Sequence, residues 1–358
     1  MELQFKKAVR KAVPMLISVS SVSGGGKTYT ALLVAAGIAG PTGRVGFIDT
    51  ENGRGAMYAD SPGIVKALPN GYEIVQLDPP FSPERYVEAI AAAERAGINV
   101  LIVDSISHEW EGIGGCVEIA EKNKLRGMPN WSKAKMAHKR FMNHCLSTSM
   151  HLIFCIRARD KVKIVEVEKD GRKTQEVVPI GLQPITEKNL VFEALLSLML
   201  DEKTHHATPV KVPEPLAHLF SGAKLVTKED GERIRQWNSA GAIADPHEQI
   251  QKRARAAAEE GMASYTAFYG GLAPAQKKII FDTTHADNKR IAEVADQESA
   301  SAEDANGQPA ARNLGILDRL PDAMDHPAGT RATTQGVERQ VIDTENGPKW
   351  VPVAGAAA

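Results

Sequence analysis

From about residue 14 to residue 225, short apolar runs alternate with longer stretches of helical spacing. This alternation marks a parallel α/β sheet. Met15–Ser20 (MLISVS) reads as a first strand, followed by a Gly-rich loop and a helix over Lys27–Ala39 that Gly40 and Pro41 end. Val45–Asp49 and Glu73–Leu77 read as further strands. In the next helix Ser82 is placed to cap, Pro83 fits the first helical position and Gly97 closes the end. Val87, Ile90 and Ala91 share its apolar face by i, i+3, i+4 spacing. Val100–Val103 is a continuous apolar run, as expected of a strand covered on both faces. A long helix is predicted over Trp131–Ser149 and a strand over His151–Arg157. Lys161–Val178 alternates like a β-hairpin, with Asp170-Gly171 at its turn. Asn189–Leu200 is apolar nearly throughout, so its periodicity fits a strand and a helix equally.

Near Gly241 the pattern changes. His247–Gln297 is rich in Ala, Glu, Lys and Gln and predicts two or three small helices. Beyond Glu298 periodicity fades into Ala, Asp, Gly, Pro, Thr and Asn, which predicts a disordered tail with a short motif around Trp350. The expected organisation is therefore a core over 1–240, a helical region over 241–297 and a tail over 298–358.

Charge and cysteine content narrow the classes. The 43 basic and 44 acidic residues give a net charge of -1, which excludes a globally basic nucleic-acid coat but leaves room for a local groove. No apolar run is long enough to span a bilayer, and no membrane contact is expected. Cys116, Cys145 and Cys155 form no C-x-x-C pair and read as small buried hydrophobes, so a cytoplasmic setting is expected.

Ser21-Val-Ser-Gly-Gly-Gly-Lys-Thr28 lies between a strand and a helix, the setting in which a phosphate-binding loop works. Glycines let successive backbone N–H groups face one concavity, and the helix N-terminus adds a positive dipole end. Lys27 would reach the β- and γ-phosphates, and Thr28 would place its hydroxyl on Mg²⁺. Ser21, Ser23, Gly24, Gly25, Gly26, Lys27, Thr28 and the following Tyr29 form the expected nucleotide-binding set, with ATP and Mg²⁺ as ligands. Ser21 stands where the motif has its first Gly, a position expected to need a positive φ. Asp104 ends a buried strand and would hold Mg²⁺ through water. Asp49 and Glu51 end the strand after the first helix, and Glu51, past the strand end, is the better candidate to polarise an attacking water.

From about Met15 to Arg159 the chain resembles the RecA/RadA family of recombinase ATPases. The resemblance rests on the phosphate loop, on Ile48-Asp49-Thr50-Glu51 and on Asp104-Ser105. It implies a RecA-like P-loop NTPase core with a mainly parallel sheet, with Glu51 as the catalytic glutamate and Lys27 beside it. It also implies that Tyr58, seven residues after Glu51, contacts the adenine. The run HLIFCIRARDK resembles the family's sensor strand and the start of its DNA-binding loop. Arg157 stands at the sensor position in place of the usual Gln, as a sensor or charge stabiliser, and Arg159 and Lys161 become DNA-contact candidates at the loop entrance. More narrowly, DSISHEWEGIGGC and NWSKAKMAHKRFMNHCL make the region up to about residue 240 similar to RecA-like AAA-family ATPases of bacteriophages, some of which are single-strand annealing recombinases.

Other signals are less directional. His108-Glu109 is not followed by the second His of a zinc-protease helix, and no metal cluster beyond the nucleotide Mg²⁺ is expected. Gly112–Gly115 reads as a mobile, DNA-facing loop or as a plain turn. Lys122, Lys124, Arg126, Lys133, Lys135, Lys139 and Arg140 surround Trp131, a set that suits single-stranded nucleic acid and equally suits the solvated face of an amphipathic helix. Trp131 and Lys133 join Arg159 and Lys161 as DNA candidates. The expected function is ATP hydrolysis coupled to single-stranded DNA in recombination, annealing or repair. A homo-oligomer and a single-stranded-DNA-binding protein are the expected partners. The alternatives are an NTPase acting on protein partners as a motor, packaging or regulatory ATPase and, with less in the sequence to favour it, a small-molecule kinase.

Overall fold

The computed structural model describes residues 7–125, 127–169, 172–243, 245–304, 313–316, 331–334, 337–342 and 349–352. In chain order, strands β1 (Lys11–Ala12), β2 (Leu16–Ser21), β3 (Val45–Asp49), β4 (Glu73–Gln76) and β5 (Val100–Asp104) are followed by the small hairpin of β6 (Lys124–Leu125) and β7 (Met128–Pro129). Then come β8 (His151–Lys169), β9 (Arg172–Pro184), β10 (Leu196–Leu200), β11 (Ala207–Lys211) and β12 (Ala242–Ile243). The helices of this part are α1 (Lys27–Ala39), α2 (Pro62–Ala67), α3 (Pro83–Arg95), α4 (Ser107–Glu111), α5 (Cys116–Lys122), α6 (Ser132–Ser147), α7 (Leu190–Glu193) and α8 (Lys228–Ser239).

The central sheet runs β11-β10-β2-β8-β5-β3-β4, with β9 paired to β8. All pairings from β10 across to β4 are parallel, and the β10–β11 and β8–β9 pairings are antiparallel. This is the mainly parallel α/β architecture expected of a RecA-like core. Because strand side chains alternate, each strand feeds both sides of the sheet. Ile17, Val19, Phe47, Ile102 and Ile153 pack beneath α1, while Leu16, Ile48, Leu101, Val103 and Phe154 pack with Tyr86, Ile90 and Phe141 of α3 and α6. Helix α8 lies directly on α1: a Cβ on Gly37 would sit 2.2 Å from the Lys228 carbonyl oxygen, so only glycine permits this approach.

Local expectations fare unevenly. Helix α1 spans the predicted residues, and Gly40, with a φ of +69°, donates its N–H to the Ala36 carbonyl to stop it. Pro83 opens α3, but the Ser82 hydroxyl makes no capping bond there. The fully buried residue of that helix is Tyr86 as well as Ile90, with Val87 and Ala91 half-buried. The ambiguous segment 189–200 resolves into both structures, α7 and then β10. The larger correction concerns β8. It does not end in a loop after Arg157 but continues as an extended strand to Lys169, because β9 supplies ladder partners from Ala158 outward. Arg159 and Lys161 therefore lie on a hairpin strand; the Asp170-Gly171 turn lies outside the described residues.

Helices α9 (Pro246–Glu259), α10 (Met262–Gly270), α11 (Pro274–Thr283) and α12 (His285–Asp304) follow, with their own apolar cluster around Ile250, Ala254, Tyr265, Ile280 and Ala292. Helix α12 runs past residue 298, and β13 (Asn313–Ile316), β14 (Arg331–Thr334), β15 (Val337–Ile342) and β16 (Lys349–Pro352) pair into a four-stranded sheet. Those stretches of the tail carry secondary structure, and the rest lies outside the described residues. Among the described residues no helix is long and apolar enough to cross a membrane.

Candidate functional site

Strand register brings the candidate residues to one edge. Ser21 is paired with Arg157, Asp104 with Cys155, and Asp49 with Asp104, so the carboxyl ends of β2, β8, β5 and β3 converge. Ligands of open parallel sheets bind outside this edge.

The loop from Ser21 to Thr28 turns tightly over it. Gly24 and Gly26 have φ values of +83° and +81°, in the left-handed region that glycine adopts without strain. A Cβ on Gly25 would lie 1.9 Å from Ser21 Oγ, so the backbone is drawn in at a point where no side chain fits. Ser21 itself departs from expectation. It is the buried last residue of β2 and has no positive φ; its hydroxyl donates to the Leu200 carbonyl at 3.0 Å. The motif's first position is strand here, and its side chain ties β2 to β10. Lys27 opens α1, mostly buried, with its ammonium donating to the Val22 carbonyl at 2.9 Å. The first turn of α1 holds no acidic residue, so the positive end of its dipole is not neutralised from within. Ser23 is exposed at the loop tip.

Thr28 and Asp104, distant in sequence, meet directly: Thr28 Oγ1 donates to Asp104 Oδ2 at 2.5 Å. Burial pushes the Asp104 carboxyl up to about 6, against the lowering effect of the Thr28 hydrogen bond, and Glu51 adds to the rise. Two hard oxygen donors facing each other beside a glycine loop fit a divalent cation carried by a polyphosphate.

The two acids of β3 separate by environment. Asp49 accepts from Glu51 N at 2.6 Å and from Gly55 N at 2.8 Å, so its carboxylate is consumed in shaping the following turn. Glu51 instead meets Arg157, whose Nε and one terminal nitrogen both donate to Glu51 Oε1 at 2.8 Å. Thr50 locks β3 to β5 through Ser105 N, which donates to Thr50 Oγ1 at 2.7 Å, and contacts His108 Nδ1 at 2.7 Å. Burial first, then the Arg157 charge, hold His108 below its usual pKa. Tyr58 closes a 3₁₀ turn (Arg54–Tyr58), and its ring lies 6.1 Å from that of Tyr29.

The other candidates stand apart. Arg159 pairs with Glu111 at 3.4 Å on an exposed surface, and Lys161 is exposed. Trp131 stacks on Trp110 with ring centroids 5.6 Å apart, so one of its faces is occupied; Lys133 beside it is half-buried. Arg126 lies outside the described residues. Gly112–Gly115 is a tied turn: Phe81 N donates to the Ile113 carbonyl at 2.6 Å, and Gly114 N donates to the Glu118 carboxylate.

Two features escaped the sequence. His205, at the β10–β11 hairpin tip with a φ of +57°, sets its ring over the phosphate loop, with Nδ1 3.2 Å from where a Gly26 Cβ would be. The second is a buried grouping of Glu109, Cys116 and His138, whose ligand atoms lie within 4.8 Å of one another, a candidate the sequence reading did not name.

The glycine loop, its lysine and the Thr28–Asp104 pair at the carboxyl edge of a mainly parallel sheet define a P-loop NTPase of the AAA/RecA-like type. The chain belongs to the AAA domain family, whose model matches residues 14–199, just over half of the chain. No curated protein matches it. Among solved structures it is similar to a KaiC-like protein from the hyperthermophilic archaeon Pyrococcus horikoshii, at 15% identity over 58% of this chain and 89% of that one, with a TM-score of 0.33.

Proposed function

We propose that this protein binds ATP with Mg²⁺, hydrolyses it, and uses the cycle to grip and release single-stranded DNA in recombination, annealing or repair, in the manner of the phage annealing recombinases its sequence resembles. The observation that carries this reading is the Glu51–Arg157 pair at 2.8 Å. It joins the carboxylate suited to polarising a water to the strand that runs on into the hairpin bearing Arg159 and Lys161. Lys27 and the loop amides would hold the phosphates, Thr28 and Asp104 would hold Mg²⁺, and Tyr29 and Tyr58 would flank the base. When the γ-phosphate is present Arg157 turns toward its charge and frees Glu51; after hydrolysis the pair re-forms, an order-changing switch set by γ-phosphate contacts. A homo-oligomer in the cytoplasm, served by a single-stranded-DNA-binding protein, belongs to the same reading.

One observation favours a second reading. Val162, Ile164 and Val177 on the hairpin are 60–61% exposed, an apolar face that suits a protein partner. ATPase rates with and without single-stranded DNA, at low and moderate salt, for the wild type and Glu51→Gln, separate the two. DNA stimulation that weakens with salt, and a fall of about 10²–10³-fold in Glu51→Gln with ATP binding retained, are expected. ATP turnover with no DNA binding would leave the protein-directed NTPase as the better reading.

A further inference from the structure

On the flank of the core, three helices bring three metal-ligating side chains together. Glu109 of α4, Cys116 at the start of α5 and His138 of α6 each place one ligand atom within 4.8 Å of the others, and all three are buried. His138 Nδ1 lies 3.0 and 3.2 Å from the two Glu109 oxygens, and Cys116 Sγ lies 3.2 Å from Glu109 Oε1. A tetrahedral zinc ion with bonds of about 2.0–2.3 Å holds nitrogen and oxygen ligands about 3.3 Å apart, and sulfur and oxygen about 3.6 Å apart. The two separations from Glu109 thus need to widen by only a few tenths of an ångström, and Cys116 Sγ and His138 Nδ1 already lie within 4.8 Å of each other. The donor set also selects the metal: sulfur and imidazole nitrogen exclude Mg²⁺ and Ca²⁺ in favour of zinc. Charge balance agrees, because Zn²⁺ with one thiolate, one carboxylate and a neutral imidazole is electrically neutral, as a fully buried site requires.

We propose that Glu109, Cys116 and His138 form a three-ligand Zn²⁺ site that staples α4, α5 and α6 together beside the nucleotide edge, with water as the fourth ligand. Binding releases the Cys116 Sγ proton to solvent. The Trp110 ring meets His138 edge-on at 5.6 Å and is itself covered by Trp131, which shields the site. The staple reaches the nucleotide edge through α4, where Ser107 Oγ accepts from Arg157 N at 2.9 Å.

The test uses the full chain prepared free of metal and titrated with Zn²⁺ or Co²⁺ alone. One zinc per chain retained after dialysis, a raised melting temperature and, with Co²⁺, a thiolate-to-cobalt charge-transfer band are expected. Cys116→Ser should lose that band, His138→Gln should weaken zinc binding at least about 100-fold, and Cys145→Ala, whose thiol is outside the cluster, should retain both signals. A wild type that retains no zinc and gives no thiolate–cobalt band overturns the proposal whether or not the variants fold, as does a band that survives Cys116→Ser. ATP binding measured on the same samples is independent of the outcome.

Discussion

The two ends of the central sheet are built from the same strands and differ in kind. At the carboxyl end, Asp49, Glu51, Asp104, Lys27 and Arg157 crowd charged groups against a glycine loop, and burial pushes the Asp104 carboxyl up to about 6. At the amino end the polar groups tie the backbone down. His151 Nδ1 accepts from Met15 N at 3.1 Å, Asn99 Oδ1 accepts from Arg44 N at 2.8 Å, and Glu94 Oε1 accepts from Thr148 Oγ1 at 2.6 Å and Ser149 N at 2.9 Å. A salt bridge from Arg253 of α9 reaches the same Glu94 at 3.0 Å, so this end also anchors the C-terminal helices. One end concentrates unfavourable burial of charge where a ligand can relieve it. The other pairs the carboxylate and the ring nitrogen it buries with backbone and side-chain donors. Substitutions at the carboxyl end should therefore change activity at little cost in stability, and substitutions at the amino end should do the reverse.

Among tests of this division, the largest expected effect on binding is at Lys27. Lys27→Ala removes the cation that faces the loop, and ATP affinity should fall about 10²-fold, the scale of a charged hydrogen bond of roughly 3 kcal/mol. Equilibrium titration with a fluorescent ATP analogue measures it, with the urea midpoint expected to stay close to that of the wild type. A large loss of stability in this variant would break the division of labour between the two ends.

The amino end offers the converse through pH. Burial lowers the His151 pKa to about 4 from an unfolded value near 6.5. The unfolded chain then binds more protons between those values, so stability is fully present above about pH 6.5 and is lost as pH falls through about 4. The loss is at most about 3 kcal/mol. Urea unfolding across this range should show the slope in the wild type and a flatter profile in His151→Asn, while ATP affinity at neutral pH is unchanged.

How much of this could be read from the sequence follows from range along the chain. Strands β2, β3 and β5 and helix α1 were legible because continuous apolar runs and a Gly-Lys-Thr junction are local signals. The hairpin over Lys161–Val178 was legible from its alternation and turn residues, but its fusion with the core strand at Ala158–Asp160 was not, because those residues are held as strand by β9 partners near Pro184. His205 becomes a neighbour of Gly26 only because β10 pairs with β2 across some 180 residues. Glu109, Cys116 and His138 follow no spacing signature, since three separate helices deliver them. The Glu51 and Arg157 positions were legible as strand ends, but their direct pairing needed the register of β3, β5 and β8.

That pairing gives the next test. Arg157→Ala leaves Glu51 without its main partner, and kcat should fall about tenfold with ATP affinity retained, as for a group whose contribution is made to the transition-state charge. Arg157→Lys should restore little, because a single ammonium cannot reproduce two guanidinium contacts. An unchanged kcat in Arg157→Ala would reduce the pair to a surface-type salt bridge and remove the link between the carboxyl end and the hairpin.

The smallest expected effect marks where the division between the two ends should fail. Ser21 sits at the carboxyl end and inside the phosphate-loop motif, yet its hydroxyl is aimed sideways at Leu200 of β10 and not at the loop's concavity. Ser21→Ala deletes that hydrogen bond while keeping the strand backbone, and leaves a buried carbonyl without its donor. Stability should fall by about 1 kcal/mol and ATP affinity should not move. Ser21→Gly, which restores the motif's usual residue, should be less stable still, because glycine adds backbone freedom to the unfolded chain at a position with no positive φ to exploit. If Ser21→Gly instead tightens ATP binding, then the first motif position acts on the nucleotide after all, and the hydroxyl's bond to β10 holds the loop back from its ligand.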